Sequence, residues 1–102
     1  MPLGPYSYNA PQVMRFLPGP QTLAIGGASA NIQLLPNSFY RLWANQDCFF
    51  DLGPSNAVAA TTNSHPMTAK LDYLHYSDAT NIWLAVIQSS NPGTLYISQF
   101  AT

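Results

Sequence analysis

The stretch Phe39–Gly53, FYRLWANQDCFFDLG, sets the strongest constraint on what this chain can fold into. Two short apolar runs, Phe39–Ala44 and Cys48–Leu52, are separated by Asn45-Gln46-Asp47. Each run is too short for a helix and alternates with a period of two, so the pair reads as strands joined by a hairpin turn. In the first run Tyr40, Leu42 and Ala44 share a face opposite Phe39, Arg41 and Trp43. In the second, Cys48, Phe50 and Leu52 oppose Asp47, Phe49 and Asp51. The sets without charges are expected to face the core.

The same pattern continues on both sides. Thr22-Leu23-Ala24-Ile25 is expected as a strand, Gly26-Gly27 as a hairpin turn, and Ala30–Leu35 as the next strand. Within that strand Ile32 and Leu34 fall on one face, Asn31 and Gln33 on the other. Ala57–Ala60 fits either a short strand or a single helical turn, and the polar segment Thr61–Pro66 reads as an exposed loop. Ala69–Tyr76 alternates again, with Leu71, Tyr73 and His75 against Asp72, Leu74 and Tyr76. Ile82–Gln88 is almost continuously apolar, as a central strand covered on both faces would be. In the last strand, Thr94–Phe100, Leu95 and Ile97 are expected to point inward. Roughly six to eight short strands, with turn signals about every 8–12 residues and no convincing helix, predict an all-β chain. The expected architecture is a single antiparallel β-sandwich or jelly-roll-like barrel over residues 21–102. A chain of 102 residues suffices for one core, since it buries roughly 60–70% of its unfolded surface.

Residues 1–20 differ in kind. They hold five of the nine prolines, Pro2, Pro5, Pro11, Pro18 and Pro20, which exclude a long helix and a central strand. Tyr6, Tyr8, Val13, Met14 and Phe16 interleave with them. Two readings are open: a disordered tail, or an extended arm whose aromatics dock on a neighbouring subunit.

Charge narrows the function classes. Only 7% of residues are Asp, Glu, Lys or Arg, against about 25% in ordinary soluble domains. The cations are Arg15, Arg41 and Lys70 alone, so no basic surface can track phosphates and no nucleic-acid partner is expected. High hydrophobicity with low net charge also excludes disorder of the whole chain. A free monomer usually keeps surface charge for solubility, whereas a subunit held in a larger assembly needs less. This favours a structural or interaction protein.

Cys48 is the single cysteine, which leaves no internal disulfide, and its apolar flanks suit a small buried hydrophobe. Cys48, His65 and His75 show no CxxC, HxH or HExxH spacing, so no metal site is expected. There is no GxSxG, GxGxxG or GxxxxGK[ST], and with four aspartates as the only acids a carboxylate pair is improbable; no enzyme and no cofactor are expected. The start of the chain lacks the charged and apolar regions of a signal peptide, and Ile82–Ile87 is far too short to span a membrane. Trp43, Trp83, Tyr73, Tyr76 and Tyr96 keep a carbohydrate-binding module as an alternative, although bulky aromatics more often cover a sandwich or anchor a subunit interface.

From Tyr40 to Phe100 the chain resembles small virion proteins of tailed bacteriophages, of the capsid decoration (cement) type. The residues that carry the resemblance are Tyr40-Arg41-Leu42-Trp43-Ala44 and the aromatic strand Cys48-Phe49-Phe50-Asp51-Leu52-Gly53. They continue in the small-residue segment Asn56–Thr62, the apolar strand Ile82–Ile87 and Gly93-Thr94-Leu95-Tyr96-Ile97. Where such proteins place a Pro-Ala-Gly-like turn, this chain has Ser64-His65-Pro66-Met67-Thr68-Ala69, a departure from the pattern. The resemblance implies a non-enzymatic protein that clamps major capsid protein subunits from outside, assembled in the host cytoplasm and resident on the virion. It further implies self-association as a dimer or trimer. The expected interface residues are Tyr6, Tyr8, Met14 and Phe16 of the arm, with Trp43 and Trp83 on sheet faces. A phage tail or fibre component is the alternative within virion proteins.

Overall fold

The computed structural model describes residues 15–101. They form nine strands: β1 (Arg15–Phe16), β2 (Gln21–Ile25), β3 (Ala30–Gln33), β4 (Ser38–Ala44), β5 (Cys48–Gly53), β6 (His65–Met67), β7 (Tyr73–Ser77), β8 (Trp83–Gln88) and β9 (Gly93–Ala101). No helix occurs among the described residues. The strands build two antiparallel sheets. In the first, β9 lies between β4 and an edge shared by β1 and β2, and β4 in turn pairs β7. The second has the order β3-β8-β5-β6.

The shared edge follows from its prolines. Register along β9 runs from Gly93 opposite Ile25 to Ile97 opposite Gln21, then resumes with Phe100 opposite Phe16. Between these, Leu17, Pro18, Gly19 and Pro20 face only Ser98 and Gln99. Proline cannot donate to the ladder, and Gly19 takes the left-handed φ of 88° that a side chain would resist. The Leu17 amide still donates to the Gln99 carbonyl at 2.8 Å, so the strand is interrupted rather than ended.

Between the sheets lies one core. Tyr40, Leu42, Ala44, Leu95 and Ile97 come from the first sheet, and Cys48, Met67, Leu84 and Val86 from the second; all are buried. Phe50, Leu52 and Tyr73 pack against them from less enclosed positions. Tyr40, Leu42, Ala44, Cys48, Phe50, Leu52, Tyr73, Leu95 and Ile97 lie on the faces that the alternation predicted. Each fully buried aliphatic side chain stabilises the fold by about 1.5–3 kcal/mol relative to exposure.

Partners differ from the expectation where faces do not. Asn45-Gln46-Asp47 is not a hairpin turn, because β4 belongs to the first sheet and β5 to the second. It is a corner that carries the chain across the core. Gly26-Gly27 does the same between β2 and β3. Alternation fixes which side of a strand is apolar and leaves its neighbour open, so in sequence a short connection looks the same as a hairpin. Inside the polar stretch Thr61–Pro66 a further strand begins, β6, with Pro66 at the sheet edge where a missing donor costs least. At the start of the run predicted over Ala69–Tyr76, Leu71 is exposed rather than inward, because Lys70 adopts a φ of 64° and the strand starts only at Tyr73.

Ala57–Ala60 is neither strand nor helix. It belongs to a loop strapped across the outer face of the second sheet, over the row Asn31–Ala85–Asp51. Asn31 Nδ2 donates to the Asn56 carbonyl at 2.8 Å, the Ala60 amide to Ser29 Oγ at 2.8 Å, and Ser64 Oγ to Asp51 Oδ2 at 3.1 Å. The strap explains why Leu84, Ala85 and Val86 are all buried although they alternate in direction.

Candidate functional site: the outer face of the first sheet

The outward side chains of β1, β9, β4 and β7 stand in register. Phe16 lies opposite Phe100, Phe100 opposite Phe39, and Phe39 opposite Tyr76, forming one aromatic row across the sheet. Ring centroids are 4.7 Å apart for Phe16 and Phe100 and 4.8 Å for Phe39 and Tyr76. Phe100 points outward, yet Phe16 and Phe39 leave it only 7% exposed. The next row is Ser98, Arg41 and Leu74, and the one after it Thr22, Tyr96 and Trp43. Trp43 and Tyr96 meet with centroids 5.7 Å apart.

This face concentrates the exposed apolar surface. Among the described residues seven large apolar side chains are exposed, and Phe16, Phe39, Leu74, Tyr76 and Tyr96 all belong to it. Leu74 is 68% exposed, the most open of them. Two shallow clefts cut the face. One, of about 260 Å³, is lined by Phe39, Tyr40, Leu74, His75, Tyr76 and Phe100; the other, of about 390 Å³, lies among Pro20, Arg41, Trp43, Tyr96 and Ser98. Its charge is neutralised locally, since the Arg41 guanidinium holds Asp72 Oδ1 at 2.7 Å. Contiguous exposed apolar surface rimmed by polar groups is what interaction sites are made of.

The reactive groups lie elsewhere. Burial and then the neighbouring Asp47 charge push the Cys48 thiol up to about 11, so it is a protonated core residue rather than a nucleophile. His75 points inward from β7, and burial lowers its pKa while nearby Asp78 opposes the shift. Asp78 is itself lowered, chiefly by the amides of Asn81 and Thr80, which donate to its Oδ1 at 2.7 and 2.8 Å. No three His, Cys, Asp or Glu residues among those described stand close enough to hold a metal.

Of the interface residues expected from sequence, Phe16 and Trp43 come together on this face. Trp83 sits on β8 of the second sheet, on the side away from the core. Tyr6, Tyr8 and Met14 lie outside the described residues, whereas the last part of the expected arm runs along β9 as β1 and the proline interruption. Phe39, Leu74, Tyr76 and Tyr96 were not singled out together. Their common parity with Trp43 was readable; that β4 lies between β7 and β9 was not.

Compared with protein-family models, curated proteins and solved structures, the chain matches none.

Proposed function

We infer that this chain is a non-enzymatic structural protein that attaches to an assembled protein surface through the outer face of its first sheet. The reading rests on one observation: an aromatic and aliphatic surface continuous over four strands, with its single ion pair self-contained. Burying such a face against a complementary one costs no unpaired charge, and its clustered aromatics are the side chains that dominate binding energy at interfaces. Low overall charge supports the same conclusion, because the chain is then held soluble by its assembly.

The surface we assign is the outside of a tailed-phage capsid, as the sequence resemblance implies, with the major capsid protein as the partner and the virion as its location. In this reading the sandwich is of the jelly-roll-like kind and the proline-rich N-terminal residues form an arm. Many copies repeated over a symmetric shell make a modest energy per contact large in sum. A carbohydrate site is less well supported: Trp43 and Tyr96 are inclined by 55° and Phe39 and Tyr76 by 53°, which does not build a flat stacking platform.

The test is co-sedimentation with capsids that lack the protein, followed by heat challenge. The wild type should bind saturably and raise the temperature at which capsids fail. A Phe39→Ser, Leu74→Ser, Tyr96→Ser triple variant should stay folded and lose binding. Absence of wild-type binding, or binding by the triple variant at full strength, would sink the reading.

A further inference from the structure

A sheet edge presents unpaired N–H and C=O groups to any chain able to lie alongside, and proteins usually blunt such edges. Two of the four edges here are broken by proline. Pro18-Gly19-Pro20 breaks the edge made by β1 and β2. β6 is three residues long with Pro66 in its middle. The strap bound through Ser29 and Asn31 lies over the outer face of the second sheet, and the edge beside it, β3, is only four residues long. β7 has none of these devices. Its five residues, Tyr73–Ser77, contain no Pro, Gly or Lys, and β4 is its only strand partner among the described residues.

The side chains of β7 specify what would fit beside it. On the inner face, His75 Nε2 and Ser77 Oγ are both buried and find no hydrogen-bond partner among the described residues. A buried polar atom without a partner costs free energy, so each position calls for a donor or acceptor from outside. On the outer face, Leu74 and Tyr76 are exposed. A complementary strand therefore carries polar side chains at two alternate positions, with an aromatic between them pointing the other way.

The sequence holds such a segment before the described residues. Tyr6-Ser7-Tyr8-Asn9-Ala10 is free of proline, is bounded by Pro5 and Pro11, and alternates aromatic with polar. We propose that Tyr6–Ala10 of a neighbouring copy adds to β7 as an antiparallel strand, with Tyr8 opposite Tyr76. That register sets Ser7 opposite Ser77 and Asn9 opposite His75, bringing a hydroxyl and an amide to the two unpartnered atoms. Tyr8 then prolongs the row Phe16–Phe100–Phe39–Tyr76 onto a further strand, and the two prolines end the pairing on either side. Residues 1–14 contain no charged side chain, so docking buries no charge from the arm. Main-chain pairing of this kind supplies affinity, and the alternating side chains supply register.

Geometry selects a neighbour over the chain's own arm. Arg15 lies on the side of the sheet opposite β7, level with Ser77. Four strand spacings separate it from a strand added beyond β7, about 19 Å. Antiparallel pairing also puts Ala10 opposite Leu74, roughly 10 Å further along. The five Cα steps from Ala10 to Arg15 reach at most about 18 Å. The arm is too short to close on its own molecule in this register.

The experiment uses the full chain and its Tyr8→Pro variant, whose change lies outside the described strands. Sedimentation velocity over a range of concentrations reads association, and hydrogen exchange reads the amides of β7. The wild type should associate as concentration rises, and those of its Leu74–Ser77 amides that point away from β4 should exchange at least tenfold more slowly when associated. Tyr8→Pro should remain monomeric at the same concentrations, with unchanged melting temperature and fast β7 exchange. A wild type that stays monomeric throughout would overturn the proposal. So would Tyr8→Pro assembling to the same extent, or assembly that leaves β7 exchange unaltered.

Discussion

Gly93 stands so close to Asn45 that a Cβ on Gly93 would collide with the Asn45 side-chain oxygen and lie 2.7 Å from Gln46 Cγ. The contact ties the start of β9 to the corner between the sheets. Asn45 Oδ1 accepts from the Thr94 amide at 2.8 Å, and the Asn45 amide donates to the Thr94 carbonyl at 3.1 Å. A side chain at position 93 must displace this clamp or the chain that carries it.

Gly93→Ala should therefore destabilise the fold by about 1–3 kcal/mol through overpacking. Asn45→Ala should cost a similar amount, about 1–3 kcal/mol, by leaving the Thr94 amide without its acceptor. Because the two act on one contact, the double variant should lose clearly less than the sum. Urea unfolding of the three variants measures the coupling; strict additivity would show that the clamp is not shared.

The two faces of the first sheet should answer differently to truncation. Leu42 points into the core and is 1% exposed, so Leu42→Ala should cost about 2–5 kcal/mol. Leu74, on the outer face, should tolerate the same change within about 0.5 kcal/mol. Thermal melts of the isolated protein check this. A large loss at Leu74 would mean that the outer face is covered within the chain itself and is not free for a partner.

How far the sequence carried can be judged from particular residues. Alternation, with the charges marking the outer side, puts Tyr40, Leu42, Ala44, Leu95 and Ile97 inward, and they are buried, because one strand's two faces are a local property. Strand partners are not local: β4 pairs with β7 and β9, both far along the chain, so its short corner to β5 looked like a hairpin. His65–Met67 is not legible as a strand, because a proline in a polar segment is a loop signal except at a sheet edge, and edges are a tertiary fact. For the candidate face the limit is the same. Trp43 and Trp83 were grouped by residue type, yet they occupy the outer sides of different sheets, while Trp43's neighbour Tyr96 comes from a strand some fifty residues later.

Cys48 gives a probe of opening rather than of reactivity. With the thiol pushed up to about 11, the thiolate fraction at pH 8 falls about two orders of magnitude below that of a free cysteine. Since Cys48 is also buried, labelling by a disulfide reagent should be slow in native buffer and rapid in denaturant. Its native rate should follow the equilibrium population of the open state and rise in Gly93→Ala about tenfold for each 1.4 kcal/mol of stability lost. Fast labelling of the folded wild type would place the thiol at the surface.

His75 should make stability fall as the solution is acidified. Burial lowers its pKa below 6.5, with Asp78 opposing, so the folded protein holds the ring neutral where the unfolded chain already takes up a proton. Stability is then greatest above that value and declines as pH drops through it, until the folded protein also protonates. Asp78 acts in the same direction in a lower window. Its carboxylate is held below 3.8, mainly by the amides of Asn81 and Thr80, and its contribution fades only as pH falls below that figure. The two windows separate the residues. His75→Gln should flatten the stability profile between about pH 7 and pH 5 and leave the steeper acid limb intact. Asp78→Asn should do the reverse at the acid end, and it should deepen the loss near pH 6, because the buried ring loses the one charge that favours its protonated form. Melting temperatures of the wild type and both variants across that range carry the test. A wild-type profile flat from pH 7 to pH 5 would mean that the ring is solvated, and that β7 is not packed against the core as described.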